Sequence, residues 1–524
     1  MPARRRTSPR SRKQSDVPES DPGLPLGRGA EHGRGVGFLA GRRSEGDQDL
    51  GGPIVSDGDA HLATFAPTGA GKGVSCVIPA LLSHPGSVVA FDPKGELFRV
   101  TARRRREMGQ DVVVLNPFGV LSEARADGSK RGVRKSTASK TTRGKKAAGT
   151  SDLADAEFGR LNPLDMLTLP GADVETDARG LAASLAAGMR GVKDPFWDES
   201  GIGVVSGLIA HAATQPNPAD RTLSWVHERL HCDDVAYNLA TLLDTQGKSM
   251  NRFAYREIAA FLQHADAQTR PGVQATAASY LKCLAGGRVP ESLGGPAFDL
   301  PPGDDKPKRA PKSDSKAAAK TKPAPAPEPP YPPGSSSFDL AAFADGRPTT
   351  IYLVIPPPKL DSHRGLLRLW VATLLEAVMS RETGLAVPTL FLLDEAAQLG
   401  QFPPLERAVT LCRGYGARVW TFWQDLTQLK ASYPTTWPGL LNNSGVKQVF
   451  GVRGAFAARG WAEVLDTPIA TLRDLGADEQ LLVLPDGVER RAERLDYRRD
   501  PQFEGLFDEN PRHARQPGPL RRVR

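Results

Sequence analysis

The sequence predicts an α/β fold: a mostly parallel sheet covered on both faces by helices, with an all-α segment inserted into it. Three observations carry this. Short apolar runs alternate with helical stretches, as in sheets buried on both sides. A glycine-rich loop at 66–73 joins the first apolar run to a helix. A later run, 390–393, ends in two adjacent acids, Asp394 and Glu395. In a parallel sheet ligands bind outside the carboxyl ends of the strands, where both features fall.

In chain order, residues 61–66 read as the strand before the loop and 72–82 as the helix after it. Further strands are expected at 87–91, 111–115, 350–355, 389–393, 418–422 and 447–450, from their short apolar or β-branched runs. Between them the spacing turns helical at 177–189, 201–214, 224–230, 235–243, 251–263 and 276–284. That block, 165–293, is expected to form an all-α domain inside the frame 35–121 and 338–505. Segments 122–152 (basic) and 294–337 (Pro/Lys/Ala-rich) are too poor in apolar residues to fold alone and are expected to be a flexible insertion and a linker. Residues 1–34 are expected to be a disordered basic N-terminal tail, and 506–524 a basic C-terminal tail.

The 524 residues carry a net charge of +8. The basic excess lies in residues 1–50, 119–150, 303–323 and 511–524, about +19 together, leaving about −11 for the rest. Non-specific binding to nucleic-acid phosphates is therefore expected of tails and loops rather than of a folded face. Four cysteines without a Cys-x-x-Cys pair exclude a disulfide framework or a zinc ribbon. No run reaches the ~18 apolar residues of a membrane span, and no apolar core follows the N-terminal arginines, so neither a span nor a signal peptide is expected.

The loop Ala66-Pro67-Thr68-Gly69-Ala70-Gly71-Lys72-Gly73, with Val74 after it, has the chemistry of a phosphate cradle. Its glycines let backbone N–H groups converge on phosphate oxygens, the following helix aims its positive end there, and Lys72 reaches the β- and γ-phosphates. It departs from the general P-loop at Ala66, where a glycine is usual, and at Gly73, where a magnesium-binding hydroxyl is usual. Asp394 is the candidate to hold Mg2+ through water, and Glu395 the candidate base for an attacking water. The plain alternatives are a glycine-rich turn and a helix start carrying two stabilising acids. Asp92 and Lys94 are expected to form an ion pair at a strand end.

With both sites in view, the chain resembles the TraG/TraD-type coupling proteins of type IV secretion, of the FtsK/HerA-like RecA-fold superfamily. The resemblance rests on residues 66–79, where Gly73 suits the family, and on Val89-Ala90-Phe91-Asp92-Pro93-Lys94-Gly95-Glu96. Leu115-Asn116-Pro117-Phe118 and Leu161-Asn162-Pro163-Leu164 supply two Asn-Pro landmarks, and Pro195-Phe196-Trp197 resembles the start of the family's all-α domain. Leu393-Asp394-Glu395-Ala396, Cys412-Arg413-Gly414-Tyr415-Gly416, Gln424-Asp425-Leu426-Thr427-Gln428-Leu429, Glu479-Gln480-Leu481-Leu482 and Tyr497 follow in the family's order. It covers about 35–120, 160–290 and 338–505.

The resemblance implies a RecA-like P-loop NTPase that hydrolyses ATP with Mg2+ and pumps DNA or a nucleoprotein. Arg413 is implied to reach a neighbouring subunit's γ-phosphate. Gln424 is implied to be a sensor near the attacking water, although Asp425 stands where relatives usually carry Ser. Implied partners are DNA, a relaxase or secreted protein, type IV secretion channel components and further copies in a hexameric ring. Relatives usually begin with transmembrane helices; here a cytoplasmic chain, peripheral at the inner membrane through partners, is expected. A soluble FtsK/HerA-like DNA translocase and a weakly hydrolysing adaptor for relaxase or effector proteins are the competing readings.

Overall fold

The computed structural model describes residues 23–29, 52–121, 159–187, 194–264, 268–296, 336–465 and 467–510. The basic insertion 122–152, most of the linker 294–337 and the chain ends lie outside the described residues. The strands are β1 (Leu24–Gly29), β2 (Pro53–Ser56), β3 (Leu62–Phe65), β4 (Val88–Phe91), β5 (Asp111–Leu115), β6 (Thr349–Leu353), β7 (Thr389–Leu393), β8 (Ala417–Trp423), β9 (Val446–Val449), β10 (Glu479–Val483) and β11 (Glu489–Glu493). They form one sheet in the order β2-β1-β11-β10-β9-β3-β8-β7-β4-β6-β5. From β9 to β5 every pairing is parallel. The other four strands extend the sheet in antiparallel fashion.

Each expected strand is present, to within two residues at either end. Their side chains alternate between two cores, as the period of two requires. Ala63, Phe65, Val89, Phe91, Phe391 and Leu393 face one core; Leu62, Val88, Ala90, Leu390, Leu392, Trp420 and Phe422 face the other. The first core runs without a break into the helical block, through the helices Val174–Ala186, Pro195–Ala213 and Arg252–Gln263, and into the long helix Pro357–Met379. The second is closed by the helices Ile78–Ser83 and Glu96–Glu107.

The structure differs from expectation in four places. Residues 24–29, expected in a disordered tail, form β1, because Leu24 and Leu26 are buried and the backbone pairs with β2 and β11. At the other end the ordered chain continues to Asn510: Phe503 is buried, and the Asp508 amide donates to Val100 O at 2.9 Å. The helix expected over 72–82 is a π-helical turn, Gly73–Val77, followed by the α-helix Ile78–Ser83. Pro79 explains this: it has no N–H for the carbonyl four residues back, and its ring crowds that carbonyl, so the preceding turn widens. Finally, β2, β10 and β11 lie outside the expected strands; Glu489–Glu493 is charged and buries one side chain, that of Ala492.

A buried polar chain fixes the register of five strands. Trp420 Nε1 donates to Thr64 Oγ1 at 2.8 Å, and Thr64 Oγ1 donates to Gln448 Oε1 at 2.7 Å. Gln448 Nε2 donates to Gln480 Oε1, and Gln480 Nε2 donates to Leu26 O at 2.8 Å. Cys76 Sγ, in the turn after the glycine-rich loop, also donates to Gln448 Oε1 at 3.3 Å. Replacing Gln448 by Leu leaves Thr64, Cys76 and Gln480 each short of a partner in a dry interior. Gln448→Leu is therefore expected to lower the unfolding free energy by roughly 2–4 kcal/mol, measured by denaturant titration. A loss under about 1 kcal/mol would show that the chain is not a determinant of register.

Candidate functional site

The glycine-rich loop leaves the carboxyl end of β3, and the Ala66 amide donates to Trp423 O at 3.0 Å, tying the loop's root to β8. Gly69 and Gly71 have φ of 80° and 95°. Only glycine takes that backbone without strain. The Ala70 amide donates to Pro67 O at 3.1 Å, closing the first turn, and the Ser75 amide donates to Gly71 O at 2.9 Å, starting the helix. Lys72 is 7% exposed; its Nζ donates to Ala66 O at 3.2 Å and stands 3.8 Å from Glu395 Oε1.

β7 ends at Leu393, and Asp394 and Glu395 follow. Asp394 Oδ1 is buried with no hydrogen-bond partner among the described residues. Burial pushes its carboxyl up to about 6; the Lys72 charge opposes this, and Glu395 adds to it. An orphaned carboxylate oxygen beside a cation and a second acid is a fitting place for a divalent cation, whose charge would hold Asp394 ionised. Glu395 has φ 64° and is the only non-glycine at positive φ among the described residues. Such a backbone costs about 1–3 kcal/mol, and here it turns the carboxylate back toward Lys72. Gln424 follows β8, between β3 and β7, and its Nε2 donates to Glu395 Oε2 at 3.4 Å. Asp425 caps the helix Leu426–Ser432 by accepting from the Gln428 amide at 2.7 Å, a role that Ser also fills.

Residues 67–74, Asp394 and Glu395 line one cavity of about 710 Å3. Gly73 has open space where a side chain would begin. The hydroxyls on the cavity wall near the loop are those of Thr68 and Ser75. Asp92 also lines the cavity, but it does not take Lys94 as expected. Its carboxylate accepts from the amides of Glu96 and Phe98, both at 2.9 Å, and so caps the helix Glu96–Glu107. Burial pushes its carboxyl up to about 6, against the pull of these amides.

Arg413 is not brought to this cavity. It lies in the 3-10 turn Cys412–Tyr415 before β8, at the opposite end of the sheet, and pairs with Asp59 at 2.6 Å. Leu411 and Tyr415 beside it are 64% and 40% exposed. The cavity instead has a wall that the motifs did not foretell: Asp478, just before β10, and Arg494, Asp496, Arg498, Arg499 and Asp500, in the segment after β11. In the sequence these acids and arginines alternate like an ordinary solvated surface. The available signal was Tyr497, whose amide donates to Val74 O at 3.4 Å in the loop's own helix.

The sheet order, with β8 between the strand that ends in the glycine-rich loop and the strand that ends in two acids, defines a RecA-like P-loop fold. The family profile for type IV secretory system conjugative DNA transfer matches residues 27–126, 133–301 and 334–455, and the chain belongs to that family. It is similar to Protein VirD4 of Rhizobium radiobacter, 28% identical over 404 residues, covering 76% of this chain and 47% of that protein. It is also similar to the conjugal transfer protein TraG of Rhizobium radiobacter, 25% identical over 72% of this chain and 47% of that protein. The chain thus spans about half the length of the curated relatives it matches. Among solved structures, plasmid coupling protein TrwB in complex with ADP and Mg2+ matches with a TM-score of 0.57 at 13% identity, over 91% of this chain and 95% of that one. The unbound TrwBdeltaN70 form matches with a TM-score of 0.56 at 13% identity, over 90% and 93%. Among the described residues no helix is long and apolar enough to cross a membrane.

The raised pKa of Asp394 makes stability depend on pH in a definite direction. Its folded value of about 6 lies above the ordinary 3.8, so ionising it opposes folding. The cost is absent below pH ~4 and complete above pH ~6. Asp394→Asn, which removes the charge, is expected to gain stability over the parent as pH rises from 4 to 8, read as the difference in thermal midpoints without added metal or nucleotide. A difference that stays flat across that range would mean that Asp394 is not held above its ordinary value.

Proposed function

We propose that the chain is an ATP-hydrolysing coupling protein of type IV secretion or conjugation, which recruits and pumps DNA or a nucleoprotein substrate. The observation that carries this is the convergence of Lys72, Asp394 and Glu395 on one cavity beside the glycine-rich loop, with Gln424 hydrogen-bonded to Glu395. Membership of the conjugative DNA transfer family supports the substrate, and TrwB caught with ADP and Mg2+ supports the ligands.

In this reading the N–H groups of Gly69 and of residues 71–74 take the phosphates of ATP. Lys72, held at rest by Ala66 O and Glu395, turns to the β- and γ-phosphate oxygens. Glu395 then loses its cation and is left as a base, with Gln424 fixing its orientation. The attacking water bonds to the γ-phosphorus and gives its proton to Glu395; the bond to the bridging oxygen breaks, and ADP leaves with that electron pair. Magnesium bound with the nucleotide would supply charge neutralisation at the phosphate oxygens. Asp394 would hold it, and Gly73 contributes no hydroxyl.

Arg413 belongs to a neighbour's site in this reading. It stands at the amino end of β8, and the loop springs from the carboxyl end of adjacent β3. Seven strand residues at ~3.3 Å each separate the two levels by roughly 20 Å. The exposed Leu411 and Tyr415 around Arg413 suit burial against a second copy, and a ring of copies, as a hexamer, completes each site. The remaining partners of the proposal are a relaxase or secreted protein, channel components and, through them, the inner membrane.

Glu395→Gln is expected to bind ATP as the parent does and to lose turnover by about 10²–10⁴-fold; Lys72→Ala is expected to lose binding and turnover together. Phosphate release and fluorescent-nucleotide titration read the two. Hydrolysis by Glu395→Gln at the parent rate would remove Glu395 as the base. A second test concerns the neighbour. Arg413→Ala and Lys72→Ala, each nearly inactive alone, are expected to recover part of the activity when mixed with DNA under assembling conditions, because some interfaces then pair an intact Lys72 with an intact Arg413. No recovery despite demonstrated co-assembly would leave Arg413 a surface residue paired with Asp59.

A further inference from the structure

Arg494 is the one arginine of the cavity wall whose hydrogen bonds reach the loop itself. It follows β11, and its amide is fixed to Asp478 O at 2.7 Å. Its side chain is 14% exposed and lies over Phe450, with the guanidinium carbon 4.6 Å from the ring centre. Phe450 follows β9, and its own amide donates to Phe65 O at 3.2 Å, at the last residue of the strand that carries the loop. From this seat Nη1 donates to Ala70 O and Nη2 to Ala477 O, both at 2.5 Å. Nε is buried without a partner among the described residues. Nη1 stands 3.6 Å from where a side chain on Gly71 would begin.

The peptide joining Ala70 to Gly71 is planar and trans, so its C=O and N–H point in opposite directions. Holding the Ala70 carbonyl on the guanidinium therefore sets where the Gly71 N–H points: away from Arg494. We propose that Arg494 is a positioning residue for the phosphate loop, one that presets the Gly71 N–H for a bound phosphate. The planar fork is what the role needs, since it spans two carbonyls while stacked on a ring, which a lysine ammonium cannot do. Arg494 also joins the loop to β9 and β10, so the antiparallel extension becomes part of the nucleotide site.

This rests on the nucleotide reading of the cavity, and the experiment separates the two. Fluorescent ATP, with ADP and inorganic pyrophosphate as competitors, is titrated into the full chain as parent, Arg494→Lys and Arg494→Ala, and thermal midpoints are recorded beside the affinities. Arg494→Ala is expected to lose affinity for ADP and pyrophosphate alike, on the order of 10–100-fold. Arg494→Lys, which keeps the charge and can reach one carbonyl, is expected to fall between, with the thermal midpoint of the parent. A loss for ADP but not for pyrophosphate would assign Arg494 to the nucleoside and overturn the proposal, as would parent affinity in Arg494→Ala. Should Arg494→Ala not fold, parent-like pyrophosphate affinity in Arg494→Lys overturns it. A parent that binds none of the three ligands removes the nucleotide reading itself.

Discussion

The hydrogen-bonded chain from Trp420 through Thr64, Gln448 and Gln480 to Leu26 O is the constraint on which the rest of the molecule depends. Parallel strands buried on both faces are apolar throughout, and such strands slip register at little cost to burial. A one-residue slip of β3 against β8 would carry the glycine-rich loop away from Gln424 and Glu395. Polar side chains that must all meet in a dry interior remove that freedom, because any other register leaves several of them unpaired. The chain crosses from parallel to antiparallel strands at Gln448. It is therefore also what holds β10 and β11, and with them Arg494, against the site.

The site itself is built from conformations that cost free energy. Glu395 is in the left-handed region, Gly69 and Gly71 need positive φ, Asp394 is ionised against burial, and the turn after Lys72 is π-helical. The backbone of Glu395 and the buried charge of Asp394 would be selected against for stability alone. Their concentration within one cavity marks it as the place where the fold gives up stability for geometry, and the apolar cores on either face of the sheet offset that loss.

Much of this was legible in the sequence. The parallel strands were readable because their burial on both faces demands apolar runs, as in Thr389–Leu393 and Val88–Phe91. Lys72, Asp394 and Glu395 were readable because a glycine-rich loop and an acid pair at strand ends are local patterns. The antiparallel extension was hidden because β11 is Glu-Arg-Arg-Ala-Glu: its pairing is made by backbone, and the one buried side chain, Ala492, gives no signal. Arg494 was hidden for a related reason: its partners, Ala70 O and Ala477 O, are main-chain atoms of any residue type. The partner of Asp92 was misjudged because helix capping by Asp92 depends on the turn Pro93–Gly95, with Gly95 at φ 64°, and not on the nearest opposite charge.

Arg413 shows what a single chain leaves unfinished. Its ion pair with Asp59 is exposed on both sides and so contributes little to folding. The same pair holds the guanidinium extended at the amino ends of β3 and β8, between the exposed Leu411 and Tyr415. A loosely held cation amid uncovered apolar side chains is poorly explained by the needs of an isolated fold, and well explained by an interface that would cover Leu411 and Tyr415 and exchange Asp59 for a stronger anion. Arg413 and the glycine-rich loop lie at opposite ends of the adjacent strands β8 and β3. If Arg413 serves a γ-phosphate as proposed, the two can meet only between chains, and assembly would then control hydrolysis.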